Sequence, residues 1–196
     1  CGLRNLDGHS GTVNAAPNPD GRGFVTGFGS QWGWTGTGEV FVPQLVMYKT
    51  PDLFHDRPDI IDAGIQTFLV EHGFNGFHVM VFCRWFDIGI DRARDLPTRN
   101  PNPDPRTFEA LGLLIRKTYA AGGMVHLWQW GDEARTMTPI RLGGKNGPVD
   151  QRLQRYIAAR LGPVPGWTMG YGFDLWEWVE PGDLRVWHKT MHEYFG

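Results

Sequence analysis

The chain has 196 residues, enough for one domain with a substantial core, and 41% of them are hydrophobic, which excludes a disordered chain. A formal net charge of −2 supplies no broad attraction to nucleic acid or to an anionic membrane surface. No apolar run is long enough to span a membrane; the longest, residues 77–83, has the length of a buried strand.

Residues 1–22 are polar and rich in Gly, Asn and Pro, and read as an extended lead-in to a domain over residues 23–196. Phe24-Val25-Thr26-Gly27-Phe28 reads as a short first strand, followed by an aromatic loop with Gln31, Trp32 and Trp34. Residues 58–72 read as a helix with Ile61, Ile65, Phe68 and Leu69 on one stripe and Gly73 at its C-cap. Residues 77–82 form the second strand, and residues 87–102 a long polar loop.

Asp104-Pro105 opens the next helix, with Asp as N-cap and Pro in the first turn. Phe108, Leu111, Ile115 and Tyr119 share its apolar face, and Gly122-Gly123 ends it. A third strand over 124–130, a loop over 131–147 and a helix over 150–161 follow. Residues 167–174 form the fourth strand, and a helix over 183–195 closes the sequence.

Strand and helix thus alternate four times, which argues for an α/β fold with a parallel sheet and crossover helices. Loops after strands are long and rich in Trp, Asp and Arg, and those before strands are short, so function is expected at the C-terminal strand ends. A complete (β/α)8 TIM barrel takes ~250 residues. Four units make a half or partial barrel: a fragment, a pair of half barrels, or an open sheet covered in another way.

Strand alternation then picks out one face. It carries His78, Met80, Phe82 and Arg84 on the second strand, and His126, Trp128, Trp130 and Asp132 on the third. On the fourth it carries Thr168, Gly170, Gly172 and Asp174. If these faces point inward, Arg84, Trp130, Asp132 and Asp174 meet at one mouth, with Glu133, Trp176 and Glu177 in adjacent loops. Nine Trp in one chain suit a sugar-binding cleft, because indole faces stack on pyranose rings; a Trp-rich core would use them equally well.

Glycoside hydrolysis needs two carboxyl groups, one to protonate the leaving oxygen and one to attack the sugar or activate water. An acid catalyst needs surroundings that disfavour its charged form, and neighbouring Trp rings supply them. Asp174 is therefore the first candidate acid, with a helix cap or a partner for Arg84 as its structural role. Glu177 is the alternative acid or a ligand for sugar hydroxyls. Asp132 and Glu133 either bind hydroxyls or cap their loop. His78 and His126, deep in strands, read as buried and hydrogen-bonded, with hydroxyl binding as a second role.

His188 and His192 stand i,i+4 on the last helix without a surrounding metal motif, so no metal is expected. No phosphate loop or Ser nucleophile elbow is present, and no cofactor is expected. Cys83 reads as a buried strand thiol. Cys1 matches the first residue of a mature lipoprotein, although a fragment boundary explains it more simply.

Several short motifs resemble apiosidase-like (β/α)8 glycoside hydrolases. They are Asp20-Gly21-Arg22-Gly23-Phe24 at a first strand, Glu71-His72-Gly73-Phe74-Asn75-Gly76-Phe77 at the turn into the second, and Leu127-Trp128-Gln129-Trp130-Gly131 at the third. Tyr171-Gly172-Phe173-Asp174 stands where that group has Gly-Gly-Asp, or the wider retaining clan Gly-Asn-Glu. The resemblance implies that Asp174 is the acid/base. Phe173 departs from the pattern, and the seventh strand that carries the nucleophile in such enzymes has no counterpart here.

The expected function is a glycoside hydrolase acting on plant or algal polysaccharide, extracellular or periplasmic, as a homodimer or with a further C-terminal half. Trp32, Trp34, Trp85, Trp128, Trp130 and Trp176 would be its sugar platforms. The alternative is a non-catalytic carbohydrate-binding module that keeps the aromatic mouth and lacks the second carboxylate.

Overall fold

The computed structural model describes residues 21–195. Cys1, with its lipoprotein reading, and most of the expected lead-in lie outside the described residues. Three short strands come first: β1 (Val25–Phe28), β2 (Gln31–Trp34) and β3 (Val40–Phe41), joined as an antiparallel sheet in that order. A second, four-stranded sheet follows, entirely parallel: β4 (Leu45–Met47), β5 (Gly76–Met80), β6 (Met124–Trp130) and β7 (Trp167–Gly172), side by side in chain order.

Residues 24–28 are therefore not the first strand of the parallel sheet. Phe28 pairs with Gln31, so only Gly29-Ser30 separates the two strands, and Gly29 takes φ +63°. A two-residue turn with a left-handed glycine folds the chain straight back into a hairpin and rules out a crossover. The first parallel strand is instead the three-residue β4, too short to show a period.

Helices follow each parallel strand. After β4 come α1 (Pro51–Asp56) and α2 (Asp59–Gly64), the latter continuing as a π-helical stretch over Ile65–Glu71. The expected single helix over 58–72 changes ladder beside Tyr48. That hydroxyl donates to the Ile60 carbonyl, and the ring lies so close that a Cβ on Gly64 would overlap it. A side chain wedged against a helix is an ordinary cause of such a change.

After β5 comes α3 (Pro105–Ala120), capped by Asp104, whose carboxylate accepts the Arg106 N–H at 3.0 Å. After β6 comes α4 (Pro148–Leu161), and after β7 comes α5 (Pro181–Phe195). The fold is a partial α/β barrel of four βα units, with β4 and β7 as the sheet's outer strands.

The core lies between the outer face of the sheet and the helices. Phe77, Val79, Val125 and Leu127 meet Leu111, Leu114 and Ile115 of α3, and Leu153 and Ile157 of α4, all fully buried. Fully burying such side chains stabilises by roughly 1.5–3 kcal/mol each. The hairpin packs at the N-terminal end of the sheet. Trp34 is buried against Phe41, Tyr119 at the end of α3, and Met124 at the start of β6. Arg22 lies over the Trp34 and Tyr119 rings, 4.8 and 4.4 Å from their centroids, and its guanidinium donates to the Tyr119 carbonyl.

Candidate functional site

The inner face of the sheet is built by register. Met47, His78, His126 and Thr168 stand in one row across the four strands, and Met80, Trp128 and Gly170 in the row nearer the C-terminal ends. His78 packs on Trp128 with ring centroids 3.7 Å apart and meets His126 edge-on at 4.6 Å. Nδ1 of His126 lies 2.8 Å from the Thr168 hydroxyl. Burial, reinforced by His78, holds His126 at about 4, and burial also lowers His78. Both rings are therefore neutral near pH 7, and their hydrogen-bonding capacity is that of neutral imidazole.

Beyond these rows the chain leaves the strands, and simple alternation stops predicting direction. β5 ends at Met80, and Phe82 takes φ +57° as a 3-10 turn, Phe82–Trp85, begins. Arg84 is instead held in ion pairs with other carboxylates. Its guanidinium bonds Asp52 of α1 at 2.9 Å and lies 3.8 Å from Asp91. Trp85 is completely buried against Phe108 of α3, and its indole N–H donates to the Gln129 carbonyl at 2.9 Å. Trp85 therefore presents no surface to a sugar.

Cys83 sits in the same 3-10 turn rather than in a strand. It is buried as expected, and burial, with Asp91 nearby, pushes its thiol up to about 12.

Trp130 is also fully buried, and its N–H donates at 2.9 Å to Asp150 on α4, behind the sheet. Trp32 and Trp34 belong to the hairpin at the opposite end of the strands. Trp34 is core, and Trp32 stacks on His126 with centroids 6.4 Å apart. Of the six expected platforms, only Trp128 and Trp176 stand toward the C-terminal strand ends with accessible surface.

Asp132 is buried and accepts the Arg135 N–H at 2.7 Å; its other oxygen lies 3.4 Å from the Arg135 guanidinium. Glu133 accepts the Thr138 hydroxyl. Both carboxylates hold their own loop, the capping role the sequence also allowed.

Asp174 and Glu177 come together. Asp174 follows β7 at φ +48°, ψ +38°, a left-handed conformation that Asp tolerates better than most residues. It starts the 3-10 turn Leu175–Glu177, and the Glu177 N–H donates to its carbonyl at 3.0 Å. Both residues are exposed, and Trp176 between them is 84% exposed. The expected burial of Asp174 among indole rings is thus not observed. The alternative structural role as a partner for Arg84 is taken by Asp52.

Sequence reasoning missed two groups. One is an aromatic wall: Phe173 packs on Trp128 at 4.9 Å and on Phe82 at 5.5 Å. Phe173 directly follows Gly172, the last residue of β7. The other is buried Asp150, which has four donors drawn from widely separated segments. No period signals a carboxylate whose partners are distant in sequence. Among the described residues no group of His, Cys, Asp or Glu could hold a metal ion; His188 and His192 are both exposed. Among the same residues, no helix is long and apolar enough to cross a membrane.

No family model and no curated protein matches the chain. Solved structures do. GH5_18 from Streptomyces cattleya in complex with GlcNAc is similar at a TM-score of 0.50 and 20% identity, covering 78% of this chain and 41% of that one. A candidate glycoside hydrolase from Bacteroides vulgatus ATCC 8482 is similar at 0.61 and 16% identity, covering 90% and 37%. The exo-β-1,4-mannosidase Op5Man5 from Opitutaceae bacterium strain TAV5 is similar at 0.53 and 14% identity, covering 92% and 32%. The chain spans about two fifths of these structures' length or less. The likeness is one of fold, to glycoside hydrolase barrels; it does not single out the apiosidase-like group.

Proposed function

We propose that this chain contributes the first four βα units of a glycoside hydrolase barrel acting on oligo- or polysaccharide. The observation that carries this reading is the turn after β7. Two exposed carboxylates, Asp174 and Glu177, flank an exposed Trp176 at the C-terminal strand ends, where barrels of this kind keep their chemistry. Asp174 acts as acid/base, protonating the leaving glycosidic oxygen and then activating water. Trp176 stacks on a sugar ring, and the Trp128–Phe173 wall lines the cleft floor. Glu177 is the alternative acid or a ligand for hydroxyls, and the half-buried Glu133 is a further candidate for the second carboxylate.

GH5_18 has also been solved with Manb1-4GlcNAc, which supports a sugar ligand for this fold without specifying one here. The free sides of β4 and β7 are covered by the complementary half of the barrel, from a second copy or from further polypeptide. Action on plant or algal polysaccharide would place the protein outside the cytoplasm. Membership of the apiosidase-like group is part of the same proposal and rests on the short motifs alone.

The exposure of both carboxylates also fits a non-catalytic sugar-binding module. The deciding experiment is light scattering of the purified protein, with each fraction assayed on aryl glycosides and polysaccharides, for wild type and Asp174→Asn. Turnover that Asp174→Asn abolishes while sugar binding persists supports the enzyme. Binding without turnover in every fraction supports the module. Turnover unaffected by Asp174→Asn transfers the acid role to Glu177.

A further inference from the structure

Asp150 lies in the first turn of α4, fully buried behind the sheet, with no cation as partner among its hydrogen bonds. One carboxylate oxygen accepts Gln129 Nε2 at 2.7 Å and Trp130 Nε1 at 2.9 Å. The other accepts the Tyr171 hydroxyl at 2.7 Å and the Asn146 N–H at 2.9 Å. Gln129 in turn accepts Trp187 Nε1 of α5 at 3.0 Å. A single carboxylate thus joins the last residues of β6, the end of β7, the loop before α4 and, through Gln129, α5. Burial pushes this carboxyl up, and the hydrogen bonds from Tyr171, Asn146 and Trp130 oppose the rise.

Four neutral donors on one buried carboxylate constrain geometry strongly, because each donor would be left unsatisfied if the acceptor moved. Tyr171 carries that constraint onward. Its ring packs on buried Trp178 at 5.4 Å, immediately after the Leu175–Glu177 turn. Gly172 also lies against Trp178: a Cβ there would lie 2.9 Å from the Trp130 carbonyl and 3.1 Å from Trp178. The turn bearing the two exposed carboxylates is therefore fastened at its far end by Trp178, and Trp178 rests on Tyr171.

We infer that Asp150 is a positioning residue for the Asp174–Glu177 turn, acting through Tyr171 and Trp178. The inference rests on the reading of that turn as the acid-bearing one, but its structural half can be tested without any substrate. Asp150→Asn replaces one acceptor oxygen with an amide NH2. Whichever way the amide sits, one pair of donors faces NH2. On the Tyr171 side the hydroxyl can rotate to accept from the NH2 while the Asn146 N–H loses its acceptor, so this variant weakens the Tyr171 bond without removing it.

The test is hydrogen exchange by mass spectrometry on the full chain, comparing wild type, Asp150→Asn and Tyr171→Phe, which removes one hydroxyl. Leu153→Ala serves as a control that loosens α4 through its packing alone. The expected result is a loss of protection of about tenfold in Tyr171→Phe and a smaller loss at the same residues in Asp150→Asn. It should be confined to residues 172–179, where the amides of Glu177, Trp178 and Val179 bond back to Asp174 and Leu175. β5 should be unchanged.

Unchanged exchange at 172–179 in Tyr171→Phe, or a rise spread evenly over the sheet as in Leu153→Ala, would overturn the proposal. On any glycoside that the wild type cleaves, Tyr171→Phe should lower kcat with little change in KM, whereas equal kcat would overturn the catalytic half. If the wild type cleaves none, the acid-bearing reading falls, while the exchange result still decides whether Asp150 positions the turn.

Discussion

His126 and Thr168 face each other directly across the β6–β7 register, with Nδ1 of the imidazole 2.8 Å from the hydroxyl. His78 stands on the other side, edge-on to the same ring. The row makes the inner face of the sheet polar but uncharged at neutral pH, and it gives the fold a specific sensitivity to acid.

Burial and His78 hold His126 at about 4, whereas an unfolded histidine titrates near 6.5. Between those values the unfolded chain binds more protons, so the contribution is intact above about pH 6.5 and lost as pH falls toward 4. Because His126 is partly solvent-accessible, the expected loss is roughly 1–3 kcal/mol. Urea midpoints at pH 7, 5.5 and 4.5 measure it. The drop should shrink in His126→Gln; an equal drop in both proteins would assign the acid sensitivity elsewhere.

Asp104 is the buried N-cap of α3. Burial alone would raise its carboxyl, but the Arg106 guanidinium and the N–H groups of Ile88 and Arg106 outweigh it, and the group ends below the usual carboxylate range. Its contribution is therefore present above about pH 4 and is lost as pH falls through its lowered folded value. Asp104→Ala is expected to cost roughly 1–3 kcal/mol at pH 7 by urea denaturation. A change below about 0.3 kcal/mol would show that the cap is dispensable.

Two tryptophans expected to share a role separate cleanly. Trp85→Ala should cost about 3–5 kcal/mol, because the ring is wholly enclosed and its N–H is bonded. Trp176→Ala should leave stability within about 0.5 kcal/mol and weaken sugar binding several-fold. Thermal melts and titration with oligosaccharides read the two effects. A large drop in stability for Trp176→Ala would contradict its exposure.

Gly172→Ala should destabilise by roughly 1–3 kcal/mol, since its Cβ would press on the Trp130 carbonyl, Trp178 and Leu175. Gly29→Ala meets no neighbouring atom and tests the left-handed hairpin turn alone, at about 1 kcal/mol. Chemical denaturation of the two variants separates crowding from backbone strain.

The α3 cap, the glycine stops and the apolar stripes are local patterns, and each was legible in the chain because a helix or strand imposes a period of a few residues. The inner-face residues His78, His126, Trp128 and Thr168 were legible for the same reason, being inside strands. The hairpin was misjudged although Gly29-Ser30 signalled it, and β4 was missed because three residues carry no period.

Arg84 lies just past the end of β5, where left-handed Phe82 breaks the alternation that had assigned its direction. Trp130 is a separate case: it lies inside β6, and its N–H is taken by Asp150 behind the sheet.

By itself the sequence determined the α/β alternation and three of the four parallel strands with their helices, because these depend on neighbours close along the chain. The tertiary structure alone decided that Trp34, Trp85 and Trp130 are core, that Arg84 serves Asp52, and that Asp174 and Glu177 share one exposed turn. It alone revealed Asp150 as the knot between two strands and two helices. Burial and hydrogen-bond partnership join residues tens of positions apart, and they exist only once the chain has folded.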